Sequence, residues 1–267
     1  GAVAVVGEGE MSWGRIMADF ARGHLEPEYR PPPGEWLDLA DAPMPRYELL
    51  EPERYNRLTV QTSRGCPHRC DFCASSILLT PGYRVKPVEK VIAEIRRIKE
   101  VWPHPFIEFA DDNSFVLRRH YKRLMQALKD EHVKWFTEAD ISIAEDPELL
   151  DLMRESGCRQ VLIGLESPVA DGLDGIETRR NWKLGKLADY ETAVRVIQSH
   201  GVTVNGCFVL GLFPSSFLLM LNRVSASLTG QGLSADALTG SSWLWLVPTS
   251  SEQASYSPVI FLVVIVA

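Results

Sequence analysis

Three closely spaced cysteines are the side chains best suited to chemistry in this sequence. Cys66, Cys70 and Cys73 occur with C-x3-C-x2-C spacing in "RGCPHRCDFCAS", and the 267 residues contain only two more cysteines. Such clustering in a long chain with few cysteines indicates metal or redox chemistry, because disulfide scaffolds are shorter and richer in cysteine. Three thiolates on one loop can hold a cubane iron–sulfur cluster and leave one iron open to a substrate or cofactor.

A structural zinc site is the alternative interpretation of the same loop. Such sites normally use four ligands, commonly in C-x2-C pairs. His68, between the first two cysteines, is a further potential zinc ligand. Cys158 and Cys207 fall in or beside predicted buried strands, where a free cysteine behaves as a small apolar residue. We therefore do not expect these two cysteines to be ligands.

The composition restricts the classes of partner. The net charge is −7 and the isoelectric point is near 5.5, which argues against recognition of nucleic acids or anionic membranes through bulk charge. The first residues lack the basic start and cleavage site of a signal peptide. The final "PVIFLVVIVA" is shorter than the roughly 20 apolar residues of a membrane span. We expect a cytoplasmic protein that neither binds nucleic acid nor spans a membrane.

An alternation of strands and helices from about Leu58 predicts the sheet that positions the cysteine loop. The predicted strands are "LTVQTS", "FIEFA", "KWFTEAD", "RQVLIGLES" and "VTVNGCFVLGL". Pro87 and Asp146 mark two helix starts between them, and Gly157 and Gly201 mark two helix ends. This order predicts a parallel α/β sheet, doubly wound or curled toward a barrel, with its active site at the carboxyl ends of the strands.

Polar residues stand at the carboxyl ends of the predicted strands. The cysteine loop follows the first strand, and "ADDN", "EAD", "LES" and "GL" end the other four. These groups are therefore expected on one rim of the sheet. For Asp111 and Asp112 the alternative is a helix N-cap cluster. For Glu138 and Glu166 the alternative is a solvated loop carboxylate.

The cysteine loop resembles the signature of the radical S-adenosylmethionine (SAM) superfamily. A strand precedes "CPHRCDFC", and the aromatic Phe72 stands directly before the third cysteine. The resemblance covers residues 55–212 and implies a partial (β/α)6 barrel, incomplete at its C-terminal end, in which Cys66, Cys70 and Cys73 hold a 4Fe–4S cluster. In that family the open iron binds the amino and carboxylate groups of SAM. One electron from a donor such as ferredoxin or flavodoxin then splits SAM into methionine and a 5′-deoxyadenosyl radical.

The same resemblance implies that further rim residues bind the cofactor. They correspond to family positions near the methionine, ribose and adenine of SAM: Phe72, Asp111, Asp112, Glu138, Glu166, Ser167 and Gly211. The sequence departs from the family after the fifth strand, where "FPSS" replaces a glycine and an acidic residue.

Residues 1–25 resemble the end of a cobalamin-binding Rossmann-like domain. "AVAVV" predicts a strand, "GEGE" a turn, and the following helix carries Trp13, Met17 and Phe20 on one face before a proline-rich linker at 26–54. "VVGEGE" is only a weak dinucleotide fingerprint, since two glutamates would face a phosphate. None of the six histidines stands in the family's D-x-H-x-x-G motif. We expect cobalamin to be a cofactor of the full-length parent, and the chain to begin inside that domain.

These features predict a radical SAM enzyme that performs cobalamin-dependent methyl transfer or a radical rearrangement on a small-molecule substrate. The alternatives are a methylthiotransferase and a zinc-binding structural module. A methylthiotransferase of this family would carry a further cysteine-bearing domain and a basic RNA-binding module.

The composition changes abruptly after Leu212. Of 28 basic and 35 acidic residues, only Arg223, Asp236 and Glu252 lie in residues 213–267. We expect this tail to differ from the family's native continuation, with a reading-frame shift or truncated gene model as the cause; the alternative is a genuine lineage-specific tail. Without a sixth parallel strand, the fifth strand is expected to have an exposed edge.

Overall fold

One six-stranded sheet with helices on one face forms the centre of the structure, a computed structural model that describes residues 2–75, 82–177, 180–210 and 260–266. In chain order the elements are β1 (Ala4–Val5), α1 (Gly9–Ala21), β2 (Glu28–Tyr29), β3 (Leu58–Val60), β4 (Ser63–Arg64), β5 (Arg84–Val85), α2 (Val88–Val101), β6 (Phe106–Ser114), α3 (Arg118–Leu128), β7 (Lys134–Ala139), α4 (Pro147–Glu155), β8 (Cys158–Glu166), α5 (Trp182–Lys186), α6 (Tyr190–Ser199), β9 (Thr203–Leu210) and β10 (Ile260–Val266).

The strand order confirms the predicted parallel α/β fold. Strands β3, β6, β7, β8 and β9 are neighbours in that order and all run parallel. Each connection contains a helix, as parallel neighbours require. The predicted helix boundaries also hold: Asp146 accepts a hydrogen bond from the Leu149 amide at the start of α4, and Gly157 follows its end with a φ of +99°.

The apolar core lies between the sheet and its helices. One face of the sheet buries Ile107, Phe109 and Trp135 against the apolar stripes of α2, α3 and α4. Because strand side chains alternate between faces, Glu138 and Leu162 stand on the opposite face. That face borders the cavity described below.

The extent of one strand and the pairing of another differ from the sequence prediction. Strand β6 continues through Ser114, so "ADDN" lies within the strand rather than after it or at a helix N-terminus. Strand β10 pairs antiparallel with β9 over its whole length, so the edge expected to be exposed is covered. Residues 211–259, which hold Gly211 and most of the atypical tail, lie outside the described residues.

The N-terminal residues form a small parallel unit in which β1 pairs with β2. Part of the expected linker is buried, including Tyr29, Leu39 and Tyr47. Among the described residues, none of the helices is long and apolar enough to cross a lipid bilayer.

Candidate cluster and cofactor site

A single cavity of about 410 Å³ brings the cysteine loop together with the carboxyl ends of the central strands. Its wall includes residues from the cysteine loop, β6, β7, β8, β9 and α5: Cys66, His68, Cys70, Phe72, Cys73, Asp112, Asn113, Glu138, Asp140, Glu166, Lys183 and Cys207. The structure thus brings most of the predicted rim residues together at one cavity.

Asp112 fixes the start of the cysteine loop. Its Oδ2 accepts a hydrogen bond of 2.7 Å from the amide of Gly65, and its Oδ1 accepts one from the hydroxyl of Ser75. Gly65 has a φ of +92°, a conformation that glycine adopts without steric cost. The carboxylate therefore holds both ends of the segment that carries the three cysteines.

His68 fixes the middle of the loop. Its Nε2 lies 3.4 Å from Oδ2 of Asp140 and its Nδ1 lies 3.2 Å from Oε1 of Glu177. Its ring packs on Trp182, with centroids 4.6 Å apart. The contacts with Asp140, Glu177 and Trp182 restrict the imidazole to one orientation. His68 is therefore a structural part of the loop rather than a free ligand. Asn113, which neither strand pattern nor motif singled out, completes the arrangement.

Asn113 connects this network to the first cysteine. Its Nδ2 donates to Oδ2 of Asp140 at 3.0 Å and lies 3.7 Å from Sγ of Cys66. Burial favours the neutral acid at Asp140, but hydrogen bonds from His68, Ser142 and Asn113 hold its pKa well below the usual range. Asp140 is therefore a buried carboxylate that remains charged near the cysteines.

Glu177 holds the second cysteine. The backbone of Cys70 pairs with that of Glu177 in an isolated antiparallel bridge, and the amide of Asp71 donates to the carbonyl of Ile176 at 2.9 Å. The Glu177 carboxylate accepts from the Lys183 amide at 2.8 Å. The segment before α5 thus supports the loop from the side opposite β6.

Ordinary strand alternation separates the two predicted aspartates. Ile107, Phe109 and Asp111 are buried at alternate positions of β6, whereas Asp112 is exposed on the other side of the strand. Asp111 accordingly lies in the protein interior, where it accepts hydrogen bonds from the amides of Thr62 and Ser63 at 2.7 and 2.8 Å. Burial raises its pKa. The structure places Asp111 behind the cavity wall, where it fixes the chain leading into the cysteine loop.

Glu166 and Lys183 form a buried ion pair on the cavity wall. Lys183 Nζ donates to Oε1 of Glu166 at 2.6 Å and to the carbonyl of Gly164 at 3.0 Å. Glu166 has a φ of +62°, and the pairing of β8 with β9 shifts between Gly164 and Glu166. Such backbone strain is found mainly at functional sites. Burial would lower the pKa of Lys183, but Glu166 raises it, so the ammonium stays charged.

The Glu138 side chain faces the cavity, and the pKa of its carboxyl group is shifted. Desolvation by the surrounding protein raises the pKa of Glu138 to about 7, and the charges of Glu108, Asp112 and Asp111 add to that effect. Its side chain nevertheless has exposed surface, because it faces the open cavity rather than packed atoms. This carboxyl group therefore changes charge near neutral pH.

The two remaining cysteines have different surroundings. Cys158 lies fully buried at the start of β8, as predicted. Cys207 in β9 instead faces the cavity, with its pKa raised to about 11 by burial and by Glu166 and Glu138. Ser167, a predicted cofactor residue, is buried and makes a turn with the backbone of Val169, and it is not part of the cavity lining.

The donor set fits a 4Fe–4S cluster. Three free thiols face one cavity, and each thiolate of such a cluster binds a separate iron, so a shared volume is what the cluster requires. Burial raises the pKa of Cys66 and raises that of Cys70 to about 12, so both thiols lose protons when they bind metal. Among the described residues, no three His, Cys, Asp or Glu side chains converge on a point that would hold a single metal ion.

A protein-family model decides the family. The model described as "Radical SAM superfamily" matches residues 60–216, more than half of the chain. The chain belongs to the radical SAM superfamily. A 4Fe–4S cluster and SAM are the cofactors of this enzyme family, and Cys66, Cys70 and Cys73 form its cysteine motif here.

The curated relatives of this radical SAM chain are mostly methyltransferases. The hopanoid C-2 methylase of Rhodopseudomonas palustris is 32% identical over 186 residues, which is 66% of this chain and 34% of the relative. The bacteriochlorophyllide d C-12(1)-methyltransferase of Chlorobaculum tepidum is 24% identical over 212 residues, which is 78% of this chain and 46% of the relative. The chain thus spans between a third and a half of these relatives' length.

Solved structures share the fold. The radical SAM methyltransferase TsrM of Kitasatospora setae, with tryptophan and a SAM analogue bound, matches with a TM-score of 0.60 and 16% identity, covering 83% of this chain and 48% of TsrM. The cobalamin-dependent radical SAM enzyme OxsB, with aqua-cobalamin and SAM bound, matches with a TM-score of 0.59 and 19% identity, covering 75% of this chain and 32% of OxsB.

Proposed function

We propose that the chain is the radical SAM core of a cobalamin-dependent methyltransferase that acts on a small molecule. The observation that carries this proposal is the convergence of three free thiols, the Glu166–Lys183 pair and Glu138 on one cavity. The methyltransferase relatives support methyl transfer as the reaction, and the cobalamin-dependent structural neighbours support cobalamin as a cofactor.

In this proposal Cys66, Cys70 and Cys73 hold the cluster, and the cavity beside it receives SAM. Bound SAM supplies methyl groups and, after reductive cleavage, a 5′-deoxyadenosyl radical. Lys183 and Glu166 offer a cation and an anion to the charged ends of its methionine moiety. Phe72 is an apolar part of the wall beside the third cysteine.

We further propose that residues 1–25 belong to a cobalamin-binding domain, joined by residues 26–54 to the core at 55–212. Helix α1 supports this assignment, because its polar Ser12 and Asp19 are buried while Trp13 and Phe20 are 61% and 64% exposed. An apolar helix face turned outward is typical of a surface that packs against further protein. A low-potential donor such as ferredoxin or flavodoxin would supply the electron, in a reducing cytoplasm.

Anaerobic reconstitution with iron and sulfide tests the proposal. We expect about four irons per chain, broad visible absorbance, and reductive cleavage of SAM to 5′-deoxyadenosine and methionine in the presence of dithionite. Stoichiometric zinc without cluster absorbance would overturn the enzyme assignment. Spectrophotometric titration with hydroxocobalamin tests the cobalamin assignment separately, since it does not require a cluster.

A further inference from the structure

The "GEGE" segment, which resembled a weak nucleotide fingerprint, has a different role in the structure. Glu8 is only 6% exposed, although it lies in a short turn between β1 and α1. Its carboxylate accepts hydrogen bonds from Arg64 Nη1 at 2.8 Å, Arg84 Nη2 at 2.6 Å and the Leu37 amide at 2.7 Å. Glu10 adds a hydrogen bond of 2.7 Å from Arg64 Nη2. The two glutamates therefore face guanidinium groups.

The two arginines lie at the base of the cysteine loop. Arg64 ends β4, directly before Gly65 and Cys66, and Arg84 begins β5 after the loop has returned. The strands pair antiparallel, with Arg64 opposite Arg84. This two-stranded base therefore flanks the cysteine-bearing segment, which begins at Gly65.

Glu8 neutralises a pair of like charges that this base brings together. Two guanidinium groups directly opposite each other across a strand pair repel, and the carboxylate of Glu8 lies within 2.8 Å of both. Burial would raise the pKa of Glu8, but its hydrogen bonds with Arg84 and Arg64 lower it to about 2. Glu8 is therefore ionised near neutral pH.

Arg84 extends the contact to the linker. Its Nη1 donates to the carbonyl of Leu37 at 2.9 Å, and its guanidinium lies 5.7 Å from the ring centroid of Trp36. The N-terminal unit, the linker and the base of the cysteine loop consequently meet at one cluster of charges formed by Glu8, Arg64 and Arg84.

We propose that Glu8 is a positioning residue for the cysteine loop. Its carboxylate holds both strands at the base of the loop as a clamp and couples the N-terminal unit to the three cysteines. This inference rests on the proposed cluster function. A domain that moves or docks at the N-terminal unit would change the position of the cysteine loop through this carboxylate.

Amide hydrogen exchange of the apo chain tests the clamp without any cluster. Glu8→Gln keeps the size of the side chain and removes its charge. We expect about tenfold faster exchange at the loop base, residues 62–66 and 84–86, because local opening no longer separates a carboxylate from two arginines. Glu131→Gln is the matched control: Glu131 is 5% exposed and pairs with Arg96 and Lys99 on the helical side of the protein.

Iron release from the reconstituted chain to a chelator gives the second readout. We expect Glu8→Gln to release iron about tenfold faster than wild type at unchanged iron content, with Glu8→Asp in between and Glu131→Gln at the wild-type rate. Equal exchange at the loop base in Glu8→Gln and wild type would overturn the clamp. Faster exchange in a chain that takes up no cluster would uphold the clamp and overturn the proposed function instead.

Discussion

At the level of single residues, the cavity depends on charges that are buried in pairs. Glu166 and Lys183 are each 8% exposed and satisfy each other. A buried charge without its partner is costly, whereas an exposed ion pair contributes little. The pair is therefore a requirement for the folded cavity as well as a candidate contact for SAM.

Replacement of Glu166 tests both roles. We expect Glu166→Ala to lower the free energy of unfolding by about 3 kcal/mol, because Lys183 is left buried and unpaired. SAM binding to the cluster-loaded variant should weaken by about 1–3 kcal/mol. Chemical denaturation and isothermal titration measure the two effects. Glu145→Gln, which removes the partner of the more exposed Lys186, is the control and should change stability by less than about 1 kcal/mol.

The cysteines allow a sharp test of ligand identity. We expect Cys66→Ala, Cys70→Ala or Cys73→Ala to abolish cluster retention, because two thiolates do not hold the cubane. Cys207→Ala should retain about four irons, although Cys207 faces the same cavity. Iron analysis and visible absorbance after anaerobic reconstitution decide it. Loss of the cluster in Cys207→Ala would show that the ligand set is wrong.

Glu138 gives the apo chain a defined pH dependence. Its carboxyl pKa is about 7 in the folded chain and 4.5 when unperturbed, so the folded state binds its proton more tightly. The contribution of Glu138 to stability is therefore fully present below pH 4.5 and is lost as pH rises to about 7. Glu138→Gln should remove this loss. Urea unfolding at pH 5, 6 and 7 measures it, with Glu155→Gln on α4 as control.

Sequence reasoning predicted that the three cysteines and the strand ends meet at one site, but it missed other side chains on the cavity. Residue types and spacing sufficed to single out Cys66, Cys70 and Cys73, which line one cavity. Lys183 was missed because α5 is only five residues long, and Gly185 interrupts its apolar pattern. Asn113 stood in "ADDN", yet its orientation depends on a bulge, which no regular strand period reveals.

At the level of elements, irregular strand pairing builds the site. The pairing of β6 with β7 shifts between Phe109 and Ser114, and the shift in β8 coincides with the strained backbone of Glu166. Regular alternation accounts for Asp111 in the interior and Asp112 at the cavity, but it would place Asn113 on the same side as Asp111 and away from the cavity that Asn113 lines. These irregularities explain why the order of the strands was predictable and the position of Asn113 was not.

Gly164 leaves the space in β8 that the Glu166–Lys183 ion pair occupies. A Cβ at this position would lie 2.4 Å from Oε1 of Glu166 and 3.3 Å from Nζ of Lys183. We expect Gly164→Ala to displace the ion pair, to destabilise the fold by about 1–3 kcal/mol and to weaken SAM binding. Gly185→Ala in α5, where a Cβ meets nothing within 4 Å, is the control and should be neutral or stabilising. Equal effects of both substitutions would contradict this role.

At the level of the whole molecule, two surfaces differ in how completely they are covered. The core-facing side of the sheet is packed by α2, α3, α4 and α6. Helix α1 instead buries a polar residue and exposes its apolar ones. Asp19 is buried and accepts a hydrogen bond of 2.8 Å from the hydroxyl of Tyr29. Trp13, Met17 and Phe20 project outward. The positions i, i+4 and i+7 place these three side chains on one face.

This outward face predicts self-association of the isolated chain. Trp13, Met17 and Phe20 are 61%, 45% and 64% exposed, and burial of such side chains between two copies removes apolar surface from water. We expect the wild-type mass in sedimentation or light scattering to rise with concentration, and Trp13→Ser/Phe20→Ser to be monomeric with an unchanged unfolding midpoint. The control Leu49→Ser replaces an isolated apolar residue that is 71% exposed and should associate like wild type. If Leu49→Ser suppressed association equally, the α1 face would not be the contact.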